Sequence, residues 1–401
     1  MPALNDQREA MMKNAHRKLG IELSLFDMSP HAAGMVAWYP KGYYIFNRIE
    51  DYIRQQQQAF GYQEIKSPVV GKAELWQLSG HFDKYREEMF FLGNDAEAMA
   101  LKPMNCPFHI SVFEQLCPSY KSLPLRLSEF GMCHRNEPSG ALNGLLRLRQ
   151  FHQDDGHIFC REDQIQQELS DFVEMLYRVY QKFGFAASDI RVDISLRGKN
   201  RAGSDEIWDR AERILQEGLA MLDIPFDLLP GEAAFYGPKV EFALRDAPGR
   251  EWQCGTFQLD FVLAERLDVG FINEQGEREH PVILHRAVLG SLERFIAILL
   301  EHYQGKLPVW CNPDAISIIP VSSQHEKRAN EVAEALSALS LAVSVDTSEN
   351  SMSYRVRHHF KRKGNLAIII GDKECESGLL SVRDKKSQRQ VSLADLLGEL
   401  E

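Results

Sequence analysis

The sequence predicts an α/β protein of the α+β kind: a large antiparallel sheet flanked by helices, followed by a small α/β domain. Three observations carry this. The runs KVEFALRD and TFQLDFVL alternate apolar and polar residues, with Val240, Phe242 and Leu244 in one and Phe257, Leu259, Phe261 and Leu263 in the other. That period of two fits antiparallel strands with one polar face, here carrying Glu241, Gln258 and Asp260. Several long stretches instead repeat at the helical period. Near Leu307 to Asp314, Gly305, Pro308 and Pro313 interrupt the last of these, and a new alternation of strands and helices begins. The predicted division is therefore 1–308 and 309–401.

Taken in order, Ile45, Phe46, Ile49, Tyr52 and Ile53 follow helical spacing up to Gly61, and YQEIKSPVV then reads as an extended run ending at Pro68. A second helix runs through Ile165, Leu169, Phe172, Val173, Leu176 and Tyr180 and closes at Gly184. A third starts at Ser204 and passes Trp208, Ile214, Leu215 and Leu222. Both are amphipathic and suited to packing on the sheet. Beyond residue 308, AISIIPV, LAVSVD, LAIIIGD and LLSVRD read as strands. Glu326 to Leu339 and Tyr354 to Lys363 read as helices between them.

Composition limits the function. The 401 residues carry 46 Lys and Arg against 57 Asp and Glu, a net charge of -11, so a protein that coats nucleic acid by bulk charge is excluded and any such site must be local. The seven cysteines are scattered and form no C-x-x-C, which argues against a disulfide framework. The start of the chain lacks an apolar leader core, and no stretch of about 18 apolar residues occurs, so a cytoplasmic protein without a membrane span is expected.

The segment FGMCHRNEPSGALNGLLRLRQFHQDDGHIF is too polar for a core hairpin and reads as a polar-lined loop between antiparallel strands. Arg135 offers a bidentate fork for a phosphate, Glu137 can accept from an exocyclic amine, and Phe151 presents a flat face to a purine. A solvated hairpin with incidental arginines would have the same spacing. In HRAVLGSLERFIAILLE, Gly290 stands near a helix start with Arg294 about one turn inside, which suits an anion; an amphipathic core helix with a snorkelling arginine is the plainer alternative. Cys106 lies near His109, but that pair fits no tight zinc spacing, and His157 and His285 are remote. Spacing alone does not define a metal site.

Together these segments resemble the class II aminoacyl-tRNA synthetases, specifically the threonyl-tRNA synthetases. The long helix with SPVV is similar to motif 1, CHRNEPSG through RLRQFHQDD to motif 2, and HRAVLGSLERF to motif 3. KPMNCP, QDDGHIF, GSDEIWDRAE, AFYGPKVEF and WQCGTFQLDF follow the threonine family's order, and GDKECESG resembles its anticodon-binding domain. The resemblance covers essentially the whole chain. It implies an enzyme that makes threonyl-adenylate from threonine and ATP with Mg2+ and transfers threonine to the 3′ end of tRNA(Thr). It also implies a homodimer formed through the motif 1 region.

The same resemblance implies residue roles. Arg135 would clamp the ATP α-phosphate, Glu137 read adenine, Phe151 stack on it, Arg294 hold the γ-phosphate, and Lys239 and Gln258 hold the adenylate. Met104, Gln153, Asp155 and Tyr236 would face threonine, and His81 would serve the transfer step. A zinc ion would be held by Cys106, His157 and His285, leaving an open position for a substrate amine and hydroxyl. Glu374 and Arg383 would read the anticodon.

Three departures stand out. Phe108 follows Pro107 where the family usually has glycine, which could narrow the pocket's outer shell. Residues 348–352 read Ser-Glu-Asn-Ser-Met in place of the anticodon loop R-N-E-K-I. The resemblance starts at the linker helix and includes nothing like the family's N-terminal editing region, so no cis editing is expected. Two other readings remain: a specialised or resistance paralogue, and a synthetase-derived RNA-binding regulator without charging activity. The basic stretch from Arg355 to Lys363 is expected either near tRNA or as a solvated helix face.

Overall fold

The structure, a computed structural model, describes residues 15–80, 82, 86–93, 99–117 and 119–401. Its contacts divide the chain into two compact units, one comprising residues 28–36 and 50–298, the other residues up to 27, 37–49 and 299–401. Among the described residues no helix is long and apolar enough to cross a membrane.

The larger unit is built on an eight-stranded sheet. Helix α1 (Pro40–Ala59) leads to the two-residue strand β1 (Gln63–Glu64). Helix α2 (Cys106–Leu116) precedes the long pair β2 (Leu125–His134) and β3 (Gln150–Cys160), and α3 (Ile165–Lys182) follows. Then come β4 (Ile190–Ser195), α4 (Asp205–Met221), β5 (Asp227–Leu229), β6 (Lys239–Arg245), β7 (Glu251–Asp260), β8 (Val282–Ala287) and α5 (Leu292–His302). The strand order is β5-β4-β6-β7-β8-β3-β2-β1. The six central strands are antiparallel, as their alternation predicts; the β5–β4 and β1–β2 pairs at the two edges are parallel.

One face of the sheet is closed by apolar packing. Phe172 of α3 meets Phe242 of β6 and Phe257 of β7 at ring separations of 5.9 and 5.3 Å, and Leu169, Leu176 and Tyr180 are buried beside it. The Tyr180 hydroxyl donates to the Val288 carbonyl at 2.7 Å, so its one polar atom is satisfied. Helix α4 begins where the sequence places it: the Ser204 hydroxyl accepts from the Ile207 amide at 3.4 Å, and Trp208, Leu215 and Leu219 are buried.

The register decides what the other face carries. Lys239 pairs with Gln258, Gln258 with His285, His285 with His157, and His157 with Leu127, forming one rung across five strands. Directly opposed residues point to the same side of a sheet. Along β3 the same side then carries Asp155, Gln153 and Phe151 at every second position.

The smaller unit holds a five-stranded sheet of β9 (Ile316–Pro320), β10 (Val343–Val345), β11 (Leu366–Ile370), β12 (Leu379–Arg383) and β13 (Gln388–Ser392), ordered β10-β9-β11-β12-β13. The first three strands are parallel and the last two pairs antiparallel. Helices α6 (Glu326–Ser337), α7 (Met352–Lys361), α8 (Asp372–Ser377) and α9 (Leu393–Leu400) complete it. Its core gathers Ile316, Ile318, Val332, Leu336, Ile368, Ile370 and Leu396.

Candidate functional site

A cavity of about 540 Å³ opens on the polar face of the larger sheet. Arg135, Glu137, Phe151, Lys239, Gln258 and Arg294 line it, together with Met104, Gln153 and Tyr236. Nine of the residues singled out from sequence thus share one wall. Register accounts for Phe151 and Gln153 on β3, Lys239 on β6 and Gln258 on β7, Arg135 and Glu137 follow the end of β2, and Arg294 arrives on α5 behind Gly290. That glycine has φ +83°, and an added Cβ would lie 3.2 Å from the Cys254 carbonyl oxygen.

The guanidinium of Arg135 lies 5.1 Å from the Phe151 ring centre, and its Nε donates to the Pro103 carbonyl at 3.3 Å. Arg294 turns its Nε inward without a hydrogen-bond partner. Among the described residues neither arginine has a carboxylate partner. Half-buried guanidiniums without a carboxylate partner on a cavity wall are suited to an anion. Lys239 is ion-paired with Glu241, and the Tyr236 hydroxyl donates to Gln258 Oε1 at 2.8 Å. Glu137 is buried, and its Oε2 already accepts from Arg147 at 2.8 to 3.0 Å. That contact was not anticipated from sequence.

Beyond Tyr236, whose ring centre is 5.0 Å from that of His285, lies the second feature. Cys106, His157 and His285 are buried and present ligand atoms within 4.8 Å of one another. Cys106 is the first residue of α2, and the two histidines are opposed in register on β3 and β8. Burial pushes the Cys106 thiol well above its ordinary value, helped by the nearby Asp155 and Asp260 charges. Burial holds His157 well below its ordinary value, with the neighbouring His109 and His285 contributing, so its imidazole is neutral as a metal ligand requires. One thiol and two imidazoles, buried and converging, fit zinc chemically. These three residues and Asp155 are not part of the cavity wall; Tyr236 and Gln258 form the connection.

The surroundings contain residues to which the sequence assigned no role. His285 Nε2 sits 2.9 Å from Asp260 Oδ2, and Asp260 Oδ1 accepts from the Val262 and Leu263 amides at 2.7 and 3.0 Å. Asp155 Oδ2 accepts from Asn105 Nδ2 at 2.8 Å. Asn105 lies so close over Gly131 that any side chain there would overlap its carboxamide, which explains a glycine inside a strand. The alternation of Asp260 with Gln258 in TFQLD was a usable signal for its facing the site; nothing in the sequence marks Asn105.

Phe108 does not narrow the cavity. Its ring stands edge-on to Trp76, 5.9 Å between centres at 81°, in a cluster with Met89 and Ala100, and it fills the space over Gly71. His81 lies outside the described residues. In the smaller unit, Glu374 on α8 is half-buried and accepts from the Gly371 amide at 2.9 Å, while Arg383 is exposed at the end of β12; no hydrogen bond or ion pair joins them. The basic stretch is not one solvated face. Arg355 is buried and donates to the Asp346 carbonyl at 2.8 Å, and Arg362 pairs with Asp314 at 2.9 Å, which leaves Arg357 and Lys361 outward.

Residues 87–303 match the tRNA synthetase class II core domain (G, H, P, S and T), and residues 315–401 match an anticodon binding domain. The fold and site are thus those of a class II synthetase core. The chain is 46% identical over 394 residues to the threonine–tRNA ligase of Thiobacillus denitrificans, covering 98% of this chain and 62% of that one. It is 48% identical over 380 residues to that of Leptothrix cholodnii, covering 95% and 59%. The solved RNA binding domain of threonyl-tRNA synthetase from Cryptosporidium parvum superposes with a TM-score of 0.90 at 37% identity, covering 96% of this chain and 97% of that one. The chain belongs to the threonyl-tRNA synthetase family of class II. It spans about three-fifths of the length of the curated relatives it matches.

Proposed function

We propose that the chain activates threonine with ATP and Mg2+ to give threonyl-adenylate and pyrophosphate, then transfers threonine to the terminal adenosine of tRNA(Thr). Residues 1–308 serve as the catalytic domain and 309–401 as the anticodon-binding domain. One observation carries the reading: a single cavity has two guanidiniums without carboxylate partners on its wall and, just past Tyr236, a buried thiol–imidazole–imidazole cluster.

In the first step the threonine carboxylate attacks the α-phosphorus and pyrophosphate leaves. Arg135 and Lys239 meet the negative charge that builds there, Arg294 holds the γ-phosphate, and Phe151 and Glu137 hold the adenine. Arg147 must share or release Glu137 as the base enters. Asp155 and Gln153, with Met104 and Tyr236 as walls, orient the substrate amine and hydroxyl, and Gln258 holds the adenylate. In the second step a ribose hydroxyl of the tRNA attacks the activated carbonyl and AMP leaves, with His81 assigned to that transfer. A zinc ion held by Cys106, His157 and His285 would supply a Lewis-acidic position that a hydroxyl can ligate and a methyl cannot, separating threonine from valine.

Glu374 and Arg383 read the anticodon in this proposal. The protein acts in the cytoplasm as a homodimer joined through α1 and the segment to Pro68, and six buried cysteines outside any disulfide support a reducing compartment. ATP–pyrophosphate exchange with each of the twenty amino acids, followed by charging of purified tRNA(Thr), tests the proposal. Exchange stimulated by threonine alone or with weak serine activity is expected; exchange driven by another amino acid, or none at all, would refute it.

A further inference from the structure

Nδ1 of His157 lies 3.9 Å from Asp155 Oδ1, too far for a hydrogen bond, and is hydrogen-bonded instead to another histidine. His109 follows Cys106 by three residues on α2, so the two share a helix face. Its buried ring brings Nδ1 to within 2.9 Å of His157 Nδ1, and its Nε2 lies 3.0 Å from Glu129 Oε2. Glu129, also buried, accepts from Lys102 Nζ at 3.1 Å, from the Ser67 amide at 2.9 Å and from the Ser67 hydroxyl at 2.7 Å. Lys102 and Glu129 cancel in charge. The network is closed and leaves little freedom in where its protons sit.

Resting on the reading of Cys106, His157 and His285 as zinc ligands, we infer that His109, held by Glu129, is a positioning residue that fixes the tautomer and ring orientation of His157 and thereby sets how tightly the metal is kept. Paired with Lys102, Glu129 is a carboxylate and only accepts, so His109 Nε2 carries a hydrogen. With that one ring hydrogen, His109 has its lone pair on Nδ1. Two nitrogens 2.9 Å apart need one donor and one acceptor, so His157 Nδ1 carries the hydrogen and donates. His157 is left with its lone pair on Nε2, as metal ligation requires. The reverse arrangement would put a hydrogen on Nε2 of a neutral His157 and remove the ligand atom. His285 is handled by the same logic with one fewer link, because Asp260 takes its Nε2 directly and leaves Nδ1 free. Outer partners of metal-bound histidines act in this way in general, and their loss typically costs about 10- to 100-fold in metal affinity.

The test compares zinc affinity, by chelator competition, among the parent, Cys106→Ser, His109→Phe and His109→Gln, with circular dichroism on each. His109→Phe keeps a flat ring but neither accepts nor donates; it should weaken zinc binding about 10- to 100-fold. His109→Gln can still donate to Glu129 and accept from His157, so it should recover most of the loss, which a purely space-filling role would not produce. A folded His109→Phe variant with parent affinity would overturn the inference while leaving the ligand assignment intact. A parent that binds no zinc, or binds it equally well after Cys106→Ser, would instead overturn the ligand assignment. Nitrogen-15 histidine spectra of the zinc-loaded parent need no variant: Nδ1 of His157 should be protonated and Nε2 metal-bound, and metal on Nδ1 would refute the proton order.

Discussion

Gly131→Ala tests the site at a position that touches neither nucleotide nor metal. The added methyl would stand 2.3 Å from both Asn105 carboxamide heteroatoms and 2.5 Å from its Cγ, where ordinary contact begins at 3.4 Å. Asn105 therefore has to withdraw by about 1 Å. Its Nδ2 is 2.8 Å from Asp155 Oδ2, and the same displacement would stretch that contact beyond hydrogen-bond range. The overlap should cost about 1 to 3 kcal/mol in stability, as for other overpacked sites. Asp155, released, would no longer be aimed at the amino acid, and a misplacement of about 1 Å can cost on the order of 100-fold in rate. Thermal unfolding gives the first number. Pyrophosphate exchange at saturating ATP with varied threonine gives the second, and the threonine KM should rise at least about 10-fold while the ATP KM stays within about 2-fold. A destabilised variant with an unchanged threonine KM would show that Asn105 does not position Asp155 for substrate.

Arg135→Ala and Arg294→Ala should each lower exchange severely, since each removes charge-assisted phosphate bonds worth about 1.5 to 3 kcal/mol, whereas melting temperature should barely move because no ion pair is broken; parent-like exchange in either would discard that residue's role. Cys106→Ser should purify without stoichiometric zinc, and a full equivalent on metal analysis would remove the cysteine from the ligand set. Burial disfavours the Glu129 carboxylate, yet hydrogen bonds from His109 and Ser67 and the Lys102 charge hold it down to about 2 against an ordinary 4.5. Its folded value being depressed, the stability it provides is complete above about pH 4.5 and is lost as pH falls toward 2; Glu129→Gln should flatten the acid side of the stability profile, and an unchanged slope would contradict this. Arg357→Ala should raise the tRNA KM and weaken its salt dependence without altering exchange, while Arg362→Ala should act mainly through its lost pair with Asp314; equal effects of the two on tRNA would speak against the outward assignment of Arg357.

The strands and helices of this protein are legible because their periods are. Phe257, Leu259 and the partners of Phe172 announce a half-buried sheet, and Ser204 marks the start of a helix before any coordinates are seen. The nine cavity residues could be placed on one wall only through motif resemblance, because alternation says which residues share a face of one strand but not which rung meets which. That information lies in the register. His157 and His285 are 128 positions apart, and only the β3–β8 pairing makes them neighbours. The misreadings have the same origin. Arg355 belongs to a basic run that looks solvated, but the helix turns it inward to the Asp346 carbonyl; Phe108 looks like bulk beside a ligand, but at the start of α2 it points to Trp76. His109 sat in view beside Cys106 and was set aside for wrong ligand spacing, though its value lies one hydrogen bond behind a ligand.

The acidic excess of this chain bears on how the proposed site would hold a polyphosphate at all. Several guanidiniums elsewhere are held by acids: Arg126 by Glu168 and Asp171, Arg197 by Glu212 and Asp209, Arg250 by Asp246. A guanidinium already bound to a carboxylate must give up that partner to gain a phosphate, so little net affinity remains. Arg135 and Arg294 escape this because the sheet face around them offers amides, hydroxyls, a carbonyl and an aromatic ring in place of acids. The one acidic group beside the purine face, Glu137, is occupied by Arg147, and Glu241 is occupied by Lys239. The proposed phosphate end of the cavity therefore keeps two guanidiniums without carboxylate partners among the described residues despite the net charge of -11. At the other end of the site the rule is inverted: behind the cluster His157 is bonded to His109, His109 to Glu129, and Glu129 to Lys102 and Ser67, and pairing there serves to fix ligands that would otherwise rotate. Open donors for a ligand that comes and goes, and closed networks for one that stays, follow from the same cost of leaving a buried polar group unsatisfied.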